Sequence, residues 1–323
     1  MERRHIPGLS VAIVQGGKLL KAQGYGLANI ELGVPVTTNT VFEIGSITKQ
    51  FTAGLILMLA QDGKLAVDDP LSKHLRDLPA SWSGITLRHL LTHTSGLRNY
   101  TGLDGFEIRA RLDCHSFIRT LQSHPLDSKP GESFGYCNSG YNLLGYVIEQ
   151  AAGTSYWDFL RSRVLNPLQM TTTQSRDLQV IITNRADGYE LKKGMLVNRD
   201  SDLTDVFAAG AMVSTVLDLV KWNAALDLEK LLSRESQDAM WTEVKLNSGT
   251  NYPYGLGWRL DPHNGRPNIG HSGSTSGFSA SLQRFPQDKL AVIVLCNLGE
   301  QGLATKVARG VADIYLKTEV GGD

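Results

Sequence analysis

The chain has 323 residues, 32 of them basic and 32 acidic, with 41% apolar and 20% charged. That balance fits a soluble globular protein of one large or two smaller domains, and a net charge of zero leaves no basic footprint for a nucleic-acid partner. Three widely spaced cysteines, Cys114, Cys137 and Cys296, make neither a disulfide framework nor a zinc site, and the longest apolar runs, 55–60 and 290–296, fall far short of the ~20 residues that cross a bilayer.

Residues 9–14, then Gly16-Gly17, then 18–28 predict a β-hairpin. The stretch 48–62 predicts a helix capped by Gly45-Ser46 and closed by Gly63, with a second half apolar on every side and therefore buried all round. From 69 to about 198, helical patterns at 83–96, 117–124, 139–153 and 155–168 alternate with turn clusters, with no strong strand alternation before about 181. A further amphipathic helix is expected over 214–233. Strand patterns return at 254–261, 267–273, 277–286 and 290–297, and a closing helix is expected over 300–318. Strands at both ends and helices between them predict an α/β (α+β) fold: one antiparallel sheet built from both chain ends, flanked by helices, with an inserted, mostly helical domain. The expected division is 1–68 with 199–323 for the sheet domain and 69–198 for the helical one, with the active site at their interface.

Three short motifs carry chemistry. In Ser46-Ile47-Thr48-Lys49 the serine and lysine lie three residues apart, on one face of a helix start. A serine hydroxyl is a weak nucleophile until a base takes its proton, and a lysine serves as that base only when desolvation lowers its pKa. About one S-x-x-K arises by chance in a chain of this length, and Ser46 also fits a simple N-cap, so context decides. Tyr136-Cys137-Asn138, the one Tyr-x-Asn here, lies at a turn leading into a helix. A tyrosine hydroxyl beside a lysine can shuttle a proton, and an asparagine amide can hold a lysine and a substrate together. His271-Ser272-Gly273 opens a Gly/Ser-rich bend after a strand, where an edge could hold an extended substrate by its backbone. His93 reads as a turn-fixing residue and Cys137 as a packed thiol. No G-x-S-x-G elbow is read in the chain, which disfavours an α/β-hydrolase fold, and no H-E-x-x-H exists for a zinc protease.

Taken in order, the blocks IPGLSVAIV, FEIGSITKQFTA, LLTHTSGL, PGESFGYCNSGYNLLGYVIE, AAGAMVST and IGHSGSTSGF resemble the serine β-lactamase and penicillin-binding protein superfamily across nearly the whole chain. The resemblance is to the branch with class C β-lactamases, D-alanyl-D-alanine carboxypeptidases, D-aminopeptidases and β-lactamase-like esterases. It implies a β-lactamase/transpeptidase-like fold and Ser46 as the acylated nucleophile. Lys49 would be its base or a cation coupled to Tyr136; which of the two takes the proton stays open. Tyr136 would pass a proton to the leaving group and activate the deacylating water, and Asn138 would orient Lys49 and bind the substrate amide. The backbone N–H groups of Ser46 and Ser274 would form the oxyanion hole, and His271, Ser272 and Gly273 would line the substrate. No metal or organic cofactor is implied. The partner would be a small ester or amide, a β-lactam or a short peptide, with oligomeric state open.

Two departures bear on function. Penicillin-binding relatives usually begin the third motif with lysine, and here His271 stands there, mostly neutral at pH 7. Substrates with a free carboxylate are therefore expected to bind more weakly, and neutral esters or D-amino amides to be favoured. The segment MERRH resembles only the last turn of a helix that relatives carry before the first block, so the compartment (bacterial periplasm, exterior or cytoplasm) stays open. The leading expectation is a serine hydrolase of small esters or amides, esters first, with weak β-lactamase activity. A D-amino-acid-specific peptidase and a non-catalytic sensor or scaffold are the alternatives.

Overall fold

The structure, a computed structural model, describes residues 1, 4–103, 111–199 and 202–316. Strand β1 (Gly8–Gln15) turns into β2 (Lys18–Asn29) through Gly16 and Gly17. Both glycines have positive φ, +57° and +75°, the type I′ geometry whose twist suits a two-residue hairpin. Short strands β3 (Val34–Pro35) and β4 (Phe42–Glu43) lead to helix α1 (Thr48–Gln61). Helices α2 (Leu87–Leu91), α3 (Cys114–Gln122), α4 (Asn138–Ala152) and α5 (Tyr156–Leu160) follow. Next come β5 (Gln174–Ser175), β6 (Tyr189–Lys192), β7 (Met195–Asn198), α6 (Phe207–Gly210), β8 (Met212–Ser214), α7 (Val216–Asp227), α8 (Arg234–Met240), β9 (Val244–Lys245) and β10 (Asn251–Tyr252). The chain closes with β11 (Ile269–Ser274), β12 (Ser279–Phe285), β13 (Leu290–Cys296) and α9 (Leu303–Leu316).

The principal sheet is antiparallel, in the order β11-β12-β13-β1-β2-β3. Strand β1, from the start of the chain, pairs with β13 from its end, Leu9 opposite Cys296 through Gln15 opposite Leu290. The side chains alternate as a pleat requires. Ala12, Ala280, Leu282, Ile293 and Leu295 face the main core with α1 and α4. Leu9, Val11, Ile13, Val292 and Val294 face the opposite way, under the Ala304-Ala308-Ala312 stripe of α9. Both faces of β12 and β13 are buried, which explains why their sequences read as continuous apolar runs rather than alternating ones. The mixed architecture, with a both-ends antiparallel sheet and helices between, is the one expected from the sequence.

Several elements differ from expectation. Residues 254–261 form a bend instead of a strand: Gly257, at φ +81°, lies so close to α1 that a Cβ there would meet the Lys49 carbonyl oxygen at 2.8 Å. The helix expected over 214–233 ends at Asp227, with Glu229 at φ +51°, and Ser233 then caps the separate α8 by accepting from the Ser236 N–H. Strand β5 precedes 181 but is only two residues long, too short to show alternation. Residues 317–318 of the expected closing helix lie outside the described residues.

Candidate active site

Ser46 sits in a single 3-10 turn, Gly45–Ile47, at the mouth of α1. Neither that turn nor α1 has a side-chain cap, so Ser46 is no N-cap. Its hydroxyl accepts a hydrogen bond from Lys49 Nζ at 3.2 Å. Every residue of α1 from 48 to 59 is buried, the first half included, which extends the burial expected for its second half. Lys49 is 0% exposed. Burying Phe51, Leu55, Ile56, Leu57, Met58 and Leu59 on the same helix gains about 1.5–3 kcal/mol each, which offsets the cost of holding an amine in the interior. Burial, with a smaller contribution from the positive charge of Arg259, lowers the Lys49 pKa to about 7. The amine has two shorter partners, the Asn138 Oδ1 at 2.8 Å and the Ala209 carbonyl at 2.7 Å. A neutral amine would spend its two hydrogens on these and turn its lone pair to Ser46. Ala209 was not legible as a site residue. Its carbonyl is fixed by α6, where Thr52 of α1 also donates to the Ala208 carbonyl at 2.7 Å.

Tyr136 and Asn138 reach the same amine from the start of α4. Lys49 Nζ lies 4.9 Å from the Tyr136 ring centroid. The Tyr136 hydroxyl has its pKa raised by burial, a rise that neighbouring Ser46 opposes only in part. It therefore works as a neutral O–H rather than as a phenolate. Asn138 gives its oxygen to Lys49 and leaves its Nδ2 with Thr101 Oγ1 at 3.3 Å, on the exposed side. His93 holds this segment: its carbonyl accepts from Gly135 N–H at 2.8 Å and its Nδ1 from Cys137 N–H at 3.1 Å. Its ring packs on Tyr136 at 4.3 Å between centroids. Cys137 is buried with its thiol against the Leu97 carbonyl, and burial raises its pKa, as an inert packed thiol requires.

Strand β11 completes the arrangement. An added Cβ at Gly273 would meet the Ile44 carbonyl at 1.9 Å and the Ser46 nitrogen at 3.0 Å, and one at Gly45 would meet the Ser274 nitrogen at 2.9 Å. Glycine on both sides thus lets two backbones touch, and brings the N–H groups of Ser46 and Ser274 beside the nucleophile. Ser272 is half-buried, its carbonyl accepting from His271 Nδ1–H at 2.7 Å. The His271 side chain does not line an open cleft: it is 2% exposed, with Nε2 bonded to the Tyr254 hydroxyl at 2.9 Å. The Tyr254 hydroxyl also meets His93 Nε2 at 3.2 Å. The partners fix both tautomers, since Cys137 donates to His93 Nδ1 and His271 Nδ1 donates to a carbonyl. His93 Nε2–H then donates to Tyr254, which donates to His271. Burial holds both rings neutral, lowering the His271 pKa to about 3 and that of His93 well below its usual range.

Sequence reasoning missed Arg259. It is half-buried in the 254–261 bend that was read as a strand, and its guanidinium lies 5.9 Å from the Tyr136 ring centroid. Arg259 thus stands as a cation close to the site, beside the neutral His271 that replaces the usual lysine. One G-x-S-x-G string was also passed over, Gly131-Glu132-Ser133-Phe134-Gly135. It lies in a turn and an irregular segment, not at a strand-to-helix elbow, and Ser133 is exposed. Among the described residues no His/Cys/Asp/Glu group could hold a metal ion, and no helix is long and apolar enough to cross a membrane.

A family model described as Beta-lactamase matches residues 1–316. Penicillin-binding protein 4* of Bacillus subtilis is 31% identical over 316 residues, which cover 90% of this chain and 68% of that protein. Protein flp of Staphylococcus aureus is 31% identical over 93% of this chain, which spans only 61% of the length of that relative. Among solved structures, the octameric penicillin-binding protein homologue from Pyrococcus abyssi superposes with a TM-score of 0.86 at 32% identity, over 98% of this chain and 75% of that one. The D-amino acid amidase from Ochrobactrum anthropi SV3, complexed with L-phenylalanine, superposes with a TM-score of 0.86 at 25% identity, over 98% of this chain and 96% of that one.

Proposed function

The chain belongs to the Beta-lactamase family, and we propose that it is a serine hydrolase that cleaves small amides and short peptides through an acyl-enzyme on Ser46. The observation that carries this reading is the buried Lys49 amine, with a pKa near 7, hydrogen-bonded to Ser46. Lys49 takes the Ser46 proton as Oγ attacks the substrate carbonyl, and the Ser46 and Ser274 N–H groups hold the oxyanion. The elevated pKa of Tyr136 favours Lys49 over it as the base. Tyr136 instead relays the proton from Lys49 to the leaving amine; in the second half-reaction the neutral Lys49 takes a proton from the attacking water through Tyr136 and returns it to Ser46. The acyl bond to Ser46 breaks and a free acid leaves. Asn138 orients Lys49 through its oxygen and offers Nδ2 to the substrate, with Ser272, Gly273 and the neutral His271 behind that edge. We assign 1–68 with 199–323 to the sheet domain and 69–198 to the helical one, with the site between them.

The likeness to a D-amino acid amidase and to penicillin-binding proteins supports amides ahead of esters, and Arg259 supplies a cation near the site that a substrate carboxylate could use. Simple esters are the second reading, favoured by the neutral His271. Intact-protein mass spectrometry after brief exposure to p-nitrophenyl acetate and a fluorescent penicillin, with Ser46→Ala in parallel, tests the nucleophile. An adduct that disappears in the variant is expected; none in the wild type would bring forward a non-catalytic role. Turnover of D- and L-phenylalanine amide against p-nitrophenyl butyrate then separates amidase from esterase.

A further inference from the structure

A cavity of 410 Å³, apart from the candidate active site, lies between α7, α8 and the edge formed by β11, β12 and the start of β13. None of Ser46, Lys49, Tyr136 or Asn138 lines it. At its wall stands Arg284, 6% exposed. Two of its three nitrogens are spoken for: Nε donates to Asn223 Oδ1 at 2.9 Å and Nη2 to Asp227. The guanidinium lies 4.7 Å from the Trp241 ring centroid. Its Nη1 is buried without a hydrogen-bond partner, and so is the Trp241 indole Nε1. Two donors orphaned on residues that line one cavity are costly to leave unmet, and both call for the same thing, an acceptor.

The charges around the cavity limit what that acceptor can be. Arg284 is matched by Asp227, and Arg234 is tied to Glu229 at 3.1 Å. Lys289, exposed in a left-handed turn with φ +49°, has no acidic partner among the described residues and adds one positive charge to the lining. One surplus charge suits a monoanion, and the Asp227 carboxylate disfavours a dianion. The remaining walls are apolar, from Leu226, Ile269, Phe285 and Leu290. A cavity of this size is in the usual range for a small organic ligand.

We propose that this cavity is a second binding site, for a ligand that joins a single carboxylate to an apolar body. The carboxylate accepts from Arg284 Nη1 and Trp241 Nε1, Lys289 draws it in, and the apolar body lies against Phe285 and Leu290. Such acids are also what hydrolysis at Ser46 would release, but the site stands whatever that reaction proves to be.

Titration calorimetry of the full chain carrying Ser46→Ala, which cannot turn an amide over, with 4-phenylbutyrate against the neutral 4-phenylbutyramide tests it. A saturable site for the acid that persists in Arg259→Gln, and none at that site for the amide, is expected. Arg284→Gln breaks a buried ion pair and can unfold the sheet edge, so Lys289→Glu and Trp241→Phe carry the test. Each should weaken the acid by about tenfold, while Arg259→Gln, at the other site, leaves it unchanged. Absence of saturable binding at millimolar acid, equal binding of the amide, or loss of binding in Arg259→Gln with none in Lys289→Glu would overturn the proposal.

Discussion

A lysine on the surface is protonated at pH 7, whereas Lys49 stands near its midpoint there, because burial penalises its charge and Arg259 repels it. If Lys49 is the base, kcat/KM must rise with pH through a midpoint close to 7, following the neutral amine. Arg259→Gln removes the repulsion, so the midpoint moves upward. A pH–rate profile of the wild type and the variant checks this, and an unmoved limb would show that Arg259 does not act on the titrating amine. The same variant should raise KM for a carboxylate-bearing substrate more than for a neutral ester, since only the former gains from the guanidinium. His93 acts one step further away. Its ring and its Nδ1 hold the Tyr136–Cys137 backbone, which is the turn-fixing role its sequence context suggests.

Single elements place these residues, and they differ in how clearly the sequence announced them. The hairpin was legible because a two-residue turn needs positive φ at both positions, which Gly16 and Gly17 adopt freely, and α1 was legible because its apolar run admits no exposed face. The bend at 254–261 was not, because its alternating residues suit a strand locally and only the contact of Gly257 with the Lys49 carbonyl decides otherwise. Arg259 and the Ala209 carbonyl stayed hidden for the same reason: each becomes a site group through an approach distant in sequence. Phe207 shows how such an approach is held. It sits at φ +41°, and Gly145 of α4 leaves room for its ring, since a Cβ there would lie 2.4 Å from Phe207 Cε1. That strained turn presents the Ala208 and Ala209 carbonyls to α1. The contact of β11 with the Ser46 turn gives the prediction at this scale. Gly273→Ala forces a methyl onto the Ile44 carbonyl, 1.9 Å away, and must part the Ser46 and Ser274 N–H groups. Strand β11 keeps five other pairs with β12 and β12 keeps its seven with β13, so kcat should fall by about 10²–10³ with little loss of secondary structure. Circular dichroism beside steady-state kinetics checks it, and a folded variant with unchanged kcat would remove these N–H groups from the mechanism.

At the scale of the whole molecule, the pairing of β1 with β13 ties the chain ends together, so opening the sheet exposes both cores at once, and three buried titratable groups then meet water. His271 and His93 have pKa values held below 6.5 in the folded chain, His271 at about 3. Below pH 6.5 the unfolded chain binds protons that the folded chain does not, so stability falls as pH falls, by up to about 1.4 kcal/mol per unit for each histidine. Lys49 acts with the same sign in another window. Its pKa drops from 10.5 to about 7 on folding, so the charge penalty is complete below pH 7 and fades as pH rises toward 10.5. Urea midpoints should therefore climb from about pH 5 to about pH 9. Lys49→Met removes the upper part of that climb and leaves the lower part, while abolishing turnover. His271→Gln flattens only the part below pH 6.5, because the amide keeps an acceptor for Tyr254 and binds no proton. A Lys49→Met protein whose midpoint still climbed between pH 7 and 9 would show that the amine is solvated in the folded chain, and the buried-base mechanism would fall with it.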